Sequence, residues 1–339
     1  MDVAVVGATG AVGETIVHVL EERKLPVGTL RPLASRSQHA AVRFRGRALD
    51  VHPASTEQLR DADVVFFAGG EDASALYAPA ILERGGVVID NSPAFRMRDG
   101  VPLIVPDVNG DAVSAADRLF PVANCTAIIL ASALRVIRDA AGLGSVWVAT
   151  YQAASGAGRA GLEELEAQER AVLDELADPT PGVFPRVLAR NVVPQVGTLD
   201  SLGWTSEERK ICEETRKMLS MPHLKLRATA VRVPVRTAHS AAVVFETRDE
   251  TTVAHLADAF AAGSGIVFHA SGIVTPREVE GGDAVHVARL RSFDEVYPER
   301  SRGTTAFAMW VVGDQLRKGA ATTAVQILEL LLAKGYLTA

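Results

Sequence analysis

The first thirteen residues constrain this chain most. Val3-Ala4-Val5-Val6 reads as a short buried strand, and Gly7-Ala8-Thr9-Gly10-Ala11-Val12-Gly13 follows it directly and opens a helical stretch at 14–22. Glycines at such a strand-to-helix turn let the backbone approach a pyrophosphate, and the helix start offers N–H groups and the positive end of a dipole. The spacing is G-x-x-G-x-x-G rather than G-x-G-x-x-G, so the turn alone also fits a tight βα connection that binds nothing. With the strand before it and the helix after it, a dinucleotide site is the expectation. Gly7, Ala8, Thr9, Gly10, Ala11, Val12 and Gly13 are its candidate contacts.

The rest of the first third repeats the alternation. β-branched runs at 30–34, 64–67 and 87–90 are separated by helical stretches such as 73–84, which indicates βαβ units and a mostly parallel sheet. From Ser145 the character changes. Residues 146–152 read as a strand and 162–176 as an acidic amphipathic helix, followed by β-rich runs at 228–235, 241–246, 284–291 and 306–312. These strands come closer together and predict a mixed or antiparallel sheet. The fold class expected is therefore α/β: an N-terminal Rossmann-like domain plus an α+β domain with a mixed sheet. The last segment, 319–332, is apolar at helical spacing and long enough to return to the first domain.

Composition narrows the function. With 339 residues, two domains are expected, and 48% hydrophobic residues can build their cores. A net charge of -6 argues against nucleic acid or an anionic membrane as partner, so an anionic substrate would need a local cluster of cations. Two cysteines make no disulfide framework, and no Cys/His grouping has zinc-like spacing, so no metal is expected. The start lacks a basic n-region and no apolar stretch has transmembrane length, which together predict a cytoplasmic protein.

Two positions speak to chemistry. The second strand should end near Leu33, where an NAD enzyme would carry Asp or Glu for the ribose; here Ser35-Arg36-Ser37 follows, which suits the 2′-phosphate of NADP. Farther on, Asn124-Cys125-Thr126 precedes an apolar helical run at 127–140, so Cys125 stands at a helix start, where the dipole favours a thiolate. A nucleophile needs an acid/base neighbour. His239, just beyond a β-rich run in Arg232-Val233-Pro234-Val235-Arg236-Thr237-Ala238-His239-Ser240, suits that role better than His223 in its turn-like stretch.

Taken together, these residues resemble the aspartate-β-semialdehyde dehydrogenase family from the first residues to the last helix. The family's GATGxVG start is Gly7 to Gly13, its N-C-[ST] motif is Asn124-Cys125-Thr126, and its R-[VI]-P-V…H-S segment runs from Arg232 to Ser240. A [TS]-[YF]-Q-x-x-S-G-x-G stretch begins at Thr150 and puts the family's active-site glutamine on Gln152. The E-E-x-K helix start is Glu207-Glu208-Arg209-Lys210, and the loop after the fourth strand runs from Asn91 to Arg96. The match departs near the end, where Gln315 and Thr323 replace asparagines in D-N-L-R-K-G-A-A-x-N.

The resemblance implies an NADPH-dependent reduction of L-aspartyl-β-phosphate to aspartate β-semialdehyde, a step toward lysine, threonine, methionine and isoleucine. Cys125 would form a thioester, His239 would give and take a proton at the thiohemiacetal oxygen, and Gln152 would orient the acyl group. Arg232 would grip the carboxylate, and Glu207 the ammonium, with Glu208 interchangeable while the helix phase is open. Arg96 and Lys210 would neutralise the phosphate. Ser155, Gly156 and Gln315 would lie beside NADP. The implied domains are 1–126 with 319–339, and 127–318, the latter making a homodimer or homotetramer. Rival readings lack their residues: N-acetyl-glutamyl-phosphate reductases resemble G-C-Y-x-T at the nucleophile, and glyceraldehyde-phosphate dehydrogenases S-C-T-T-N. A silent NADP-binding homologue would be expected to have lost Cys125 or His239.

Overall fold

The structure is a computed structural model and describes residues 1–34, 40–177, 179–293 and 305–338. Contacts divide the chain into two compact units, Met1–Asn124 with Gly319–Ala339, and Cys125–Lys318.

The first unit contains β1 (Asp2–Val6), β2 (Thr29–Ala34), β3 (Ala41–Phe44), β4 (Arg47–Asp50), β5 (His52–Pro53), β6 (Val64–Phe67), β7 (Val87–Asp90) and β8 (Leu119–Pro121). Six of them form a sheet in the order β5-β2-β1-β6-β7-β8, parallel at every pairing. Every residue of β6 and β7 is buried, as expected of a parallel sheet covered on both faces. The order reverses beside β1, and the crevice at such a reversal is where an open α/β sheet binds its ligand. The helix Thr322–Ala333 belongs to this unit; it packs on the helix Ala11–Glu22, and Glu329 pairs with Arg23 at 2.9 Å. A β3–β4 hairpin, which the sequence did not predict, turns through Arg45 and Gly46, both with positive φ.

The second unit contains β9 (Leu143–Gln152), β10 (Lys225–Arg232), β11 (His239–Thr247), β12 (Ile266–His269), β13 (Val285–Ser292) and β14 (Ala306–Gly313), in the order β10-β9-β11-β14-β13-β12. The two outer pairs are parallel and the inner ones antiparallel, so the sheet is mixed, as the sequence predicts. One face packs on the helix Cys125–Ala141, with Phe245 and Phe307 stacked 5.6 Å apart beneath it. The other leaves Trp147 40% and Tyr151 38% exposed, with the Tyr151 ring 5.5 Å from that of Trp310.

Two boundaries move. The strand expected at 228–235 runs Lys225–Arg232, since Pro234 has no N–H to extend a ladder. The acidic helix expected at 162–176 runs Gly158–Leu173, and its acidic face is not simply solvated. Glu164 accepts N–H groups of Gly182, Val183 and Phe184 at 2.9, 2.6 and 3.3 Å, and buried Gln168 accepts those of Leu188 and Ala189 at 2.7 and 3.2 Å. These side chains hold a loop that has no ladder of its own.

Candidate active site

In the first unit the glycine turn leaves β1 with Gly7 at φ +87°. A Cβ on Gly7 would lie 2.8 Å from the Gly69 nitrogen, and one on Gly13 would lie 2.1 Å from the Gly7 oxygen. Only hydrogen fits at either place. Gly7 and Ala8 donate to the Leu33 carbonyl at 2.8 and 3.0 Å, pinning the turn to the end of β2. Gly10 caps the helix Ala11–Glu22 and makes no side-chain cap hydrogen bond. A close backbone approach, a helix N-terminus and a strand-order reversal at one place fit a dinucleotide pyrophosphate. Ser35, Arg36 and Ser37 lie outside the described residues. Arg96 is buried in the loop after β7, its guanidinium donating to the Asn91 carbonyl at 2.7 Å. Asp90 organises that loop by accepting from Ser74 and from the Ser92 N–H and hydroxyl at 2.7, 2.8 and 2.8 Å. Burial pushes the Asp90 carboxyl above its ordinary range, against those bonds and the nearby Arg96.

The other candidates lie in the second unit, where β9 and β10 end and β11 begins. β9 and β10 run parallel with Gln152 opposite Arg232, and β11 returns antiparallel from His239. Three strand ends therefore bring Gln152, Arg232 and His239 to one edge of the sheet. All three are buried.

The backbone of one residue, Ala153, orients two of them. The Ala153 N–H donates to His239 Nδ1 at 3.0 Å, and the Ala153 carbonyl accepts from Arg232 Nη1 at 2.6 Å. With Nδ1 accepting, the proton of the neutral ring resides on Nε2. Nε2 is buried and has no hydrogen-bond partner among the described residues. Burial, then the charge of Arg232, hold the imidazole pKa well below its ordinary value, so the ring is neutral near pH 7. The space before it is kept open by Gly156, whose added Cβ would sit 2.8 Å from Arg232 Nη1 and 2.9 Å from His239 Nε2. Gly156 and Ser155 lie in the single turn Ala154–Ala157 that follows.

Cys125 is the first residue of its helix and is partly exposed, with Sγ 4.0 Å from Thr126 Oγ1. Thr126 donates to Glu207 Oε1 at 3.4 Å, and the Gln152 amide donates to the same oxygen at 3.1 Å. Burial pulls the Arg232 pKa down, while Glu207 and Cys125 both pull it up. An arginine stays charged throughout, so by reciprocity it favours the Cys125 thiolate.

The two glutamates at the start of the helix Ser206–Met218 have different partners. Glu208 closes a capping box with Thr205 and also accepts the Ala230 N–H at 2.9 Å, which leaves it structural. Glu207 instead faces Gln152 and Thr126. Half-buried Lys210 follows one turn later. Cys212 is buried against the Leu226 carbonyl, and burial pushes its thiol up to about 11. Gln315 accepts the Ala238 N–H at 2.7 Å and donates to the Ser155 hydroxyl. The sequence picks out neither Ala153 nor Ala238, because their parts are played by backbone atoms and leave no residue signature.

Among the described residues no helix is long and apolar enough to cross a membrane, and no cluster of His, Cys, Asp or Glu could hold a metal ion.

Comparison with known proteins agrees along the whole chain. Residues 2–116 match the semialdehyde dehydrogenase NAD-binding domain and residues 134–318 the semialdehyde dehydrogenase dimerisation domain. The chain is 38% identical to the aspartate-semialdehyde dehydrogenase of Bacillus subtilis, covering 98% of this chain and 97% of that protein. It is also 38% identical to that of Aquifex aeolicus, covering 99% of each. The crystal structure of aspartate semialdehyde dehydrogenase II from Vibrio cholerae superposes with a TM-score of 0.91 at 37% identity, covering 98% of both chains.

Proposed function

The chain belongs to the aspartate-semialdehyde dehydrogenase family, and from that premise we propose that it reduces L-aspartyl-β-phosphate to aspartate β-semialdehyde through a thioester on Cys125. The Cys125 thiolate attacks the acyl carbon, the bond to the phosphate oxygen breaks, and inorganic phosphate leaves with the electron pair. NADPH, when bound to the first unit, supplies the hydride that reduces the thioester carbonyl. The resulting thiohemiacetal alkoxide reforms C=O and expels the Cys125 thiolate.

The observation that carries this reading is the pair of bonds made by the backbone of Ala153, which aim Arg232 and His239 beside Gln152. They also bear on the part of His239, for which the resemblance implies giving and taking a proton at the thiohemiacetal oxygen. To take a proton at Nε2 the ring would need its own proton on Nδ1, but Nδ1 is accepting from Ala153. A neutral imidazole with Nε2–H instead donates a hydrogen bond to the oxygen that becomes negative. This meets the demand of the chemistry, because phosphate and thiolate both leave as stable anions and each alkoxide collapses without a proton relay.

The substrate's charges have partners. Within the second unit, Arg232 takes the carboxylate, Glu207 the ammonium and Lys210 the phosphate. Ser35-Arg36-Ser37 supports NADP over NAD, and the dimerisation-domain match with the exposed Trp147 and Tyr151 supports a homodimer through the second unit. The product feeds amino-acid biosynthesis, in the branches to lysine, threonine, methionine and isoleucine.

The test runs the reaction backwards. Aspartate semialdehyde, NADP and phosphate together should yield reduced nicotinamide, at a rate that depends on phosphate. Preference for N-acetylglutamate semialdehyde in the same assay would move the substrate to the rival class, and inertness toward both would refute the reading.

A further inference from the structure

We propose that Gln315 is a positioning residue for His239, holding the imidazole from both sides through one side-chain amide. The proposal rests on the reading of His239 given above. Gln315 is buried just beyond the end of β14, and each polar atom of its amide has a partner inside the second unit. Its oxygen accepts the Ala238 N–H at 2.7 Å, and its nitrogen donates to the Ser155 hydroxyl.

Both partners adjoin the imidazole. Ala238 immediately precedes His239, is fully buried, and has φ +69°. A residue with a Cβ adopts that left-handed conformation only where its surroundings hold it. Without Gln315 the Ala238 N–H would lose its acceptor in a buried place, and the backbone that aims His239 would lose its restraint. Ser155 stands beside Gly156, the residue whose missing Cβ keeps the space before Nε2 open. Gln315 therefore links the segment that carries the ring to the turn that shapes the space facing it. The cofactor contact implied by the family resemblance is a different role and makes a different prediction.

Gln315→Leu and the milder Ser155→Ala, each in the full chain, separate the two. In Gln315→Leu, amide hydrogen exchange at Ala238 should accelerate about 10- to 100-fold, while Val148 in the middle of β9 keeps its protection. Turnover of the semialdehyde should fall by about 10-fold or more through kcat, with KM and nucleotide affinity essentially unchanged. Ser155→Ala should lower kcat in the same direction by less. Lost nucleotide affinity with Ala238 protection and kcat intact would overturn the proposal in favour of a cofactor contact. Uniform acceleration of exchange across β9 and β11, or unchanged exchange at Ala238, would overturn it as well. Exchange is read without substrate, so a wild-type chain that left the semialdehyde untouched would refute the function and leave this brace still tested.

Discussion

The two units prepare for their ligands by opposite means. The first relies on backbone: one turn, Gly7 to Gly13, in which neither Gly7 nor Gly13 leaves room for a Cβ. The second relies on side chains from five separate stretches, Cys125, Gln152, Glu207, Arg232 and His239, brought together by three strand ends and two helix starts. A backbone cradle can only hold. Buried groups of matched charge can also change reactivity, as the lowered pKa of His239 and the coupling of Arg232 to Cys125 illustrate. Damage to the first unit should therefore cost nucleotide affinity, and damage to the second should cost rate.

The largest effect expected from a single methyl group is at Gly156. Its Cβ would strike Arg232 Nη1 and His239 Nε2, two buried side chains already tied to Ala153. Gly156→Ala should lower kcat by about 100- to 1,000-fold, the usual cost of losing an oxyanion donor, with nucleotide affinity nearly intact. A variant that lost affinity instead would erase the distinction between the units. Gly13→Ala is the mirror experiment, because its Cβ would overlap the Gly7 carbonyl oxygen. Nucleotide titration should show affinity weakened by about 100-fold, with melting reporting a loss of about 1–3 kcal/mol, while kcat at saturating nucleotide stays near wild type. Arg36→Ala sharpens the comparison within the first unit. NADPH should weaken by about 10- to 100-fold and NADH hardly at all, since only the former carries a 2′-phosphate. Equal losses would mean that Arg36 serves a part common to both cofactors.

Much of this was legible in sequence where the physics is local. The glycine turn, the cysteine at a helix start and the change from alternating βαβ units to closely spaced strands all follow from patterns within a dozen residues. Less legible was whatever depends on register between distant segments. Helix phase could not separate Glu207 from Glu208; the Ala230 N–H, supplied by β10, does that. The part played by Glu164 has no local signal, because the loop N–H groups it receives lie about twenty residues away in sequence. The part of Ala153 left no trace at all, since any residue with an N–H and a carbonyl would read the same.

The central claim is that Cys125, and not Cys212, becomes acylated. The contrast is physical: Cys125 is partly exposed at a helix start under the influence of Arg232, whereas Cys212 is buried with its thiol pushed up to about 11. Rapid-quench mass spectrometry of the chain mixed with aspartate semialdehyde and NADP, in the absence of phosphate, tests it directly. Hydride should leave for the nucleotide and an aspartyl adduct should accumulate on the peptide containing Cys125, then disappear when phosphate is added. An adduct on Cys212, or reduced nicotinamide formed with no acyl group on Cys125, would contradict the account.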